Sequence, residues 1–70
     1  QQDAAGAFLT RYGLLVLVCD GMGGARGGST ASRLAVDLIQ RGVQQSTEPD
    51  GASALLGAIR RANRELYHRS

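Results

Sequence analysis

The stretch Leu14 to Gly28, LLVLVCDGMGGARGG, constrains the rest of the chain most. Six apolar residues, Leu14 to Cys19, run without a break into Asp20, and glycines then stand at 21, 23, 24, 27 and 28. An apolar run of this length, rich in valine and bounded by glycine, reads as a strand buried on both faces. A carboxylate at the end of such a strand is held by rigid backbone. The glycines beside it let the main chain come close to whatever the carboxylate holds, because they carry no Cβ and tolerate positive φ. The expectation is a strand that delivers an acid into a crowded polar site, with a helix starting directly after it.

The flanking sequence fits around this core as an α+β arrangement. Ala4 to Thr10 reads as a first strand, Arg11-Tyr12-Gly13 as a short turn whose glycine can take a left-handed conformation, and Leu14 to Cys19 as the second strand. So short a connection predicts an antiparallel hairpin. It brings Asp3, before the first strand, toward Asp20, after the second. Asp20 to Gly28 is a loop, with Ser29 the better cap for a helix running to about Gln45. Ala31, Leu34, Ala35, Leu38 and Ile39 form its apolar stripe, and Gly42 is a weak point near its end. Ser46 to Gly51 is a linker holding the only proline, in which Thr47 and Asp50 have capping-box spacing. A second helix covers about Ala52 to His68, with Leu55, Ile59, Ala62 and Leu66 as its stripe.

Composition excludes several classes. A chain of 70 residues makes one small domain at most and buries only roughly 60% of its unfolded surface. The single cysteine forms no intramolecular disulfide, and one Cys with one His makes no zinc site. A free thiol at Cys19 is compatible with a reducing, cytoplasmic setting. No apolar stretch approaches the ~20 residues of a membrane span, so no membrane role is expected of this segment. The formal charge of +2 is too small to argue nucleic-acid binding. Arg60, Arg61 and Arg64 read as a solvated helix face, and Cys19 as a small buried hydrophobe. A two-stranded hairpin cannot cover two helix stripes and its own two faces. With Gln1 rather than methionine at its start, the chain is expected to be the N-terminal portion of a single larger domain, residues 1–70 of it.

Three chemistries compete for the glycine loop. A dinucleotide loop of G-x-G-x-x-G form starting at Gly21 and Gly23 fails, because Arg26 stands where the third glycine is needed. A P-loop-like nucleotide site has the right glycine spacing at Gly23 and Gly28, with Ser29 and Thr30 following. It lacks the lysine that meets the phosphates, and Asp20 at its mouth repels bare phosphate. A metal site fits better. Asp20, Asp3 and the Gly21 carbonyl offer hard oxygen ligands only, which suit Mg²⁺ or Mn²⁺. Two such ions, roughly 3.5–4 Å apart, attract a phosphoryl group and activate water toward it.

Asp20-Gly21-Met22-Gly23-Gly24, after a Val/Leu strand and before a helix containing Ala31-Ser32, resembles the signature of the type 2C metal-dependent serine/threonine protein phosphatases, the bacterial members in particular. Gln2-Asp3-Ala4 resembles the family's earlier acidic segment. The resemblance covers essentially the whole chain. It implies an αββα sandwich, of which this segment is a hairpin, the signature loop and two antiparallel helices. It implies that Asp20 bridges two Mn²⁺ or Mg²⁺ ions, that the Gly21 carbonyl completes one coordination shell, and that Asp3 acts at the same centre through water. The reaction implied is hydrolysis of phosphoserine or phosphothreonine in proteins by metal-activated water, in signalling partnership with a cognate serine/threonine kinase.

The sequence also departs from that pattern. Family members usually carry His at the position of Ala25 and Glu at that of Ser29. The phosphate-holding arginine would precede Gln1, and two further metal-binding aspartates would follow far downstream; Glu65 is the only acid after Asp50. The segment alone is therefore expected to hold one wall of the site and to catalyse little. A non-catalytic phosphatase-like module acting by protein contacts stays open as the alternative, with the P-loop-like nucleotide binder third.

Overall fold

The computed structural model describes residues 4–19 and 28–69, with the backbone alone at 28–30 and 67–69. Four elements follow in order: β1 (Ala4–Thr10), β2 (Gly13–Cys19), α1 (Gly28–Gln44) and α2 (Gly51–Arg69). The chain is thus α+β, a two-stranded antiparallel hairpin followed by two helices. Each boundary falls within a residue or so of the sequence reading.

The hairpin register runs from Ala4 opposite Cys19 to Thr10 opposite Gly13. Arg11 and Tyr12 form the loop, yet neither has positive φ; Gly13 carries it instead, at 120°. A two-residue loop of the common type needs positive φ at both central residues, which is unfavourable for Arg and Tyr. Thr10 completes the turn. Its Oγ1 accepts the Tyr12 N–H at 3.1 Å and donates to the Gly13 carbonyl at 2.7 Å.

One face of the hairpin is covered and the other is not. Ala4 is buried, and Phe8, Leu15 and Leu17 are half-buried, on the side that meets the helices. Leu9, Leu14, Val16 and Val18 are 82%, 69%, 63% and 75% exposed on the other. This corrects the expectation that the Leu14–Cys19 strand is buried on both faces. Successive side chains alternate between faces, and nothing among the described residues lies against the second one.

The helices pack antiparallel, and α1 also lies on both strands. Serving two neighbours shifts its buried line away from the expected stripe. Ser32, Val36, Ile39 and Val43 are buried, while Ala31 is exposed and Leu34 and Leu38 only half-buried. Val36 is fully buried, and a Cβ on Gly6 would come within 3.2 Å of its Cγ1, which marks where α1 crosses β1. In α2 the seam consists of Ala54, Ala58 and Ala62, whereas Leu56 and Ile59 are exposed. Of the expected stripe, Ala62 lies in the seam and Leu55 packs against it, whereas Ile59 is exposed. The reason is close approach: a Cβ on Gly42 would stand 2.8 Å from the Ala58 Cβ, so the helices meet through residues with almost no side chain.

The helix boundaries carry their own chemistry. Asp50 caps α2, its Oδ2 accepting the Ser53 N–H at 2.9 Å and its Oδ1 accepting the Ser53 hydroxyl at 3.1 Å. Asp50 takes the role that the capping-box spacing assigned to Thr47, and α2 starts at Gly51 because Asp50 immediately precedes it. At the end of α1 the Ser46 N–H turns back to the Val43 carbonyl at 3.2 Å, a tightened last turn.

Candidate functional site

The hairpin has two ends, and the sequence places different chemistry at each. At the open end Ala4 and Cys19 are directly paired. Ala4 is 5% exposed, and Ser32 and Val36, in the first half of α1, are also buried. Cys19 is a free, half-buried thiol. Strand pairing and burial coincide at this end. Asp3 and Asp20 are each one peptide bond beyond the paired residues Ala4 and Cys19.

Asp3, Asp20 and Gly21 lie outside the described residues, as do Ala25 and Arg26 and the side chains of Ser29 and His68. Among the described residues no group of three His, Cys, Asp or Glu side chains could hold a metal ion. The acids at Asp37, Glu48, Asp50 and Glu65 are spread over α1, the linker and α2. No helix among the described residues is long and apolar enough to cross a membrane.

The closed end of the hairpin holds a polar cluster that sequence reading missed. The Tyr12 hydroxyl donates to the Glu48 carbonyl at 2.6 Å and lies 3.4 Å from the Ser46 carbonyl. The Arg11 guanidinium donates to the Tyr12 oxygen at 2.7 Å and to the Glu48 carbonyl at 3.1 Å. It also stands over the Tyr12 ring, 4.8 Å from the centroid. Burial acts to raise the Tyr12 phenol, but hydrogen bonding with Ser46 and Arg11 and the Arg11 charge outweigh it, so its pKa lies below the ordinary 10.0. The cluster fastens the hairpin turn to the linker between the helices. Its partners are 34 to 37 residues apart in sequence, and no local pattern announces them.

Arg60, Arg61 and Arg64 are exposed, as expected of a solvated face. Arg61 and Arg64 nevertheless line a groove between the helices and the linker, together with Ser46, Glu48 and Ser53. The groove is separate from the Ala4/Cys19 end of the hairpin.

No curated protein and no solved structure shows a significant match to the chain. The family model described as Protein phosphatase 2C matches residues 1–70. Members of that family generally use Mn²⁺ or Mg²⁺ and act on phosphoproteins. With a β-hairpin leading into two antiparallel helices and the sequence Asp20-Gly21-Met22-Gly23-Gly24 between them, the chain belongs to the protein phosphatase 2C family.

Proposed function

We propose that this chain forms part of a metal-dependent phosphatase that removes phosphate from phosphoserine or phosphothreonine in proteins. Residues 1–70 would supply the N-terminal portion of its single catalytic domain. The pairing of Ala4 with Cys19 carries this reading, because it brings to one end of the hairpin the two strand termini from which Asp3 and Asp20 continue. The family match favours it over nucleotide binding at a P-loop-like site.

The donor set fits Mn²⁺ or Mg²⁺. Two carboxylates and a backbone carbonyl are hard oxygen ligands, and no sulfur or imidazole competes among them. Asp20 would hold both ions, Gly21 would contribute its carbonyl and Asp3 would act through ordered water. When bound, the ions would supply Lewis acidity and lower the pKa of water for attack on phosphorus. The chain's own part is positional. β2 ends in Cys19, paired to β1 and half-buried, and Asp20 would continue from that paired strand. α1, which starts at Gly28, packs across β1 at Gly6 and Val36. Glycine at position 21 leaves room for its carbonyl to approach a ligand.

Phosphate release from a phosphothreonine peptide by the full-length protein, with and without Mn²⁺, tests this reading. The expected result is turnover that needs Mn²⁺ and falls at least a thousandfold in Asp20→Ala. Turnover that is independent of divalent metal, or unchanged in Asp20→Ala, would refute it. Absence of turnover in the full-length protein with Mn²⁺ present would favour the non-catalytic alternative.

A further inference from the structure

The groove between α1, the linker and α2 has a volume of about 340 Å³. Its floor is bare because Gly42, Ala54, Gly57 and Ala58 line it, and nothing lies within 4 Å of where a Gly57 Cβ would stand. Arg61 and Arg64 form one end. They are three residues apart on α2 and so share a helix face. Both are exposed.

The opposite end carries an acid, Glu48. Ser53, near Glu48 in the groove, and Arg64 are eleven residues apart on one helix, a span of ~16 Å at 1.5 Å per residue. About five residues of extended chain cover that distance. Around that bare floor the lining is mostly polar and charged, unlike the predominantly apolar lining of small-molecule pockets.

We propose that this groove docks an extended segment of a partner protein that carries Asp or Glu at one end and Lys or Arg about four positions away. The acid would sit between Arg61 and Arg64, and the base against Glu48. The site lies away from the Ala4/Cys19 end of the hairpin, so it would select or hold a protein rather than take part in phosphate chemistry.

Fluorescence anisotropy with the full-length protein tests this, using capped, dye-labelled Lys-Ala-Ala-Ala-Glu and its isomer Ala-Lys-Glu-Ala-Ala. The two probes share net charge and composition and differ only in charge separation. The separated-charge peptide should bind at least tenfold more tightly than its isomer. Arg61→Gln with Arg64→Gln should remove that preference, and Gly57→Met, which fills the floor from an exposed position, should weaken the separated-charge peptide at least tenfold without lowering Tm. Equal binding of the two isomers, no binding of either at millimolar concentration, or a preference that survives the double arginine variant would overturn the proposal.

Discussion

Gly42 of α1 and Ala58 of α2 approach so closely that a methyl group on Gly42 would lie 2.8 Å from the Ala58 Cβ and 3.1 Å from its Cα. The obstacle is partly backbone, so no rotamer change relieves it. Gly42→Ala gains helix propensity of up to about 1 kcal/mol, but overpacking of this kind costs about 1–3 kcal/mol. Net destabilisation is expected, read as a lower denaturation midpoint. Ala58→Gly in the same chain should restore part of the loss, and a double-mutant cycle would show the coupling. Additive effects of the two changes would mean that the helices do not touch there.

Gly57 provides the contrast. It is also inside a helix, yet a Cβ there would meet nothing within 4 Å. Gly57→Ala should therefore stabilise the protein by roughly 0.5–1 kcal/mol through propensity alone. Denaturant titration of the two alanine variants side by side should give shifts of opposite sign.

Tyr12→Phe removes the hydroxyl that reaches the Glu48 carbonyl at 2.6 Å but leaves the ring packed against the helical core. The expected cost is about 0.5–1.5 kcal/mol, the ordinary net worth of one hydrogen bond. Amide exchange should quicken first in the 46–50 linker, because that is the segment the hydroxyl ties to the hairpin turn. Exchange that quickens uniformly along the chain would argue against a local fastening.

If residues 1–70 are part of a larger domain, as proposed, the exposed row of Leu9, Leu14, Val16 and Val18 would face a neighbouring layer there. Produced as residues 1–70 alone, the chain should bind a hydrophobic dye and elute larger than its 7.3 kDa. Val16→Lys should reduce both effects in that segment. The same substitution should destabilise the full-length protein, where the face would be buried. Opposite signs in the two settings are the expected pattern; a Val16→Lys change that is harmless in the full-length protein would mean the face stays open to solvent.

These residues also show how much the sequence could tell. The hairpin was legible because the alternation in β1, the valine-rich run of β2 and the intervening Gly13 all indicate one short antiparallel connection. The helices were legible from their period, but their contact faces were not. The stripe reading found Ala62 but selected the exposed Ile59, and it passed over Ala54 and Ala58, which form the seam because Gly42 draws the helices close. Val36 escaped the reading because α1 answers to the strands as well as to α2. The bonds from Arg11 and Tyr12 to the linker depend on tertiary placement, which no local spacing encodes. For the proposed metal site, the Asp20-Gly21-Met22-Gly23-Gly24 signature pointed to the family, and Asp3, Asp20 and Gly21 lie outside the described residues.

The central claim is that Asp20 organises a pair of divalent ions at the open end of the hairpin. Anomalous diffraction from crystals of the full-length protein grown with Mn²⁺, recorded at the manganese absorption edge, tests it most directly. Two peaks roughly 3.5–4 Å apart, both within coordination distance of the Asp20 carboxylate and absent in Asp20→Ala, are the result predicted. Manganese peaks that stand away from Asp20, or none at saturating Mn²⁺, would contradict the claim.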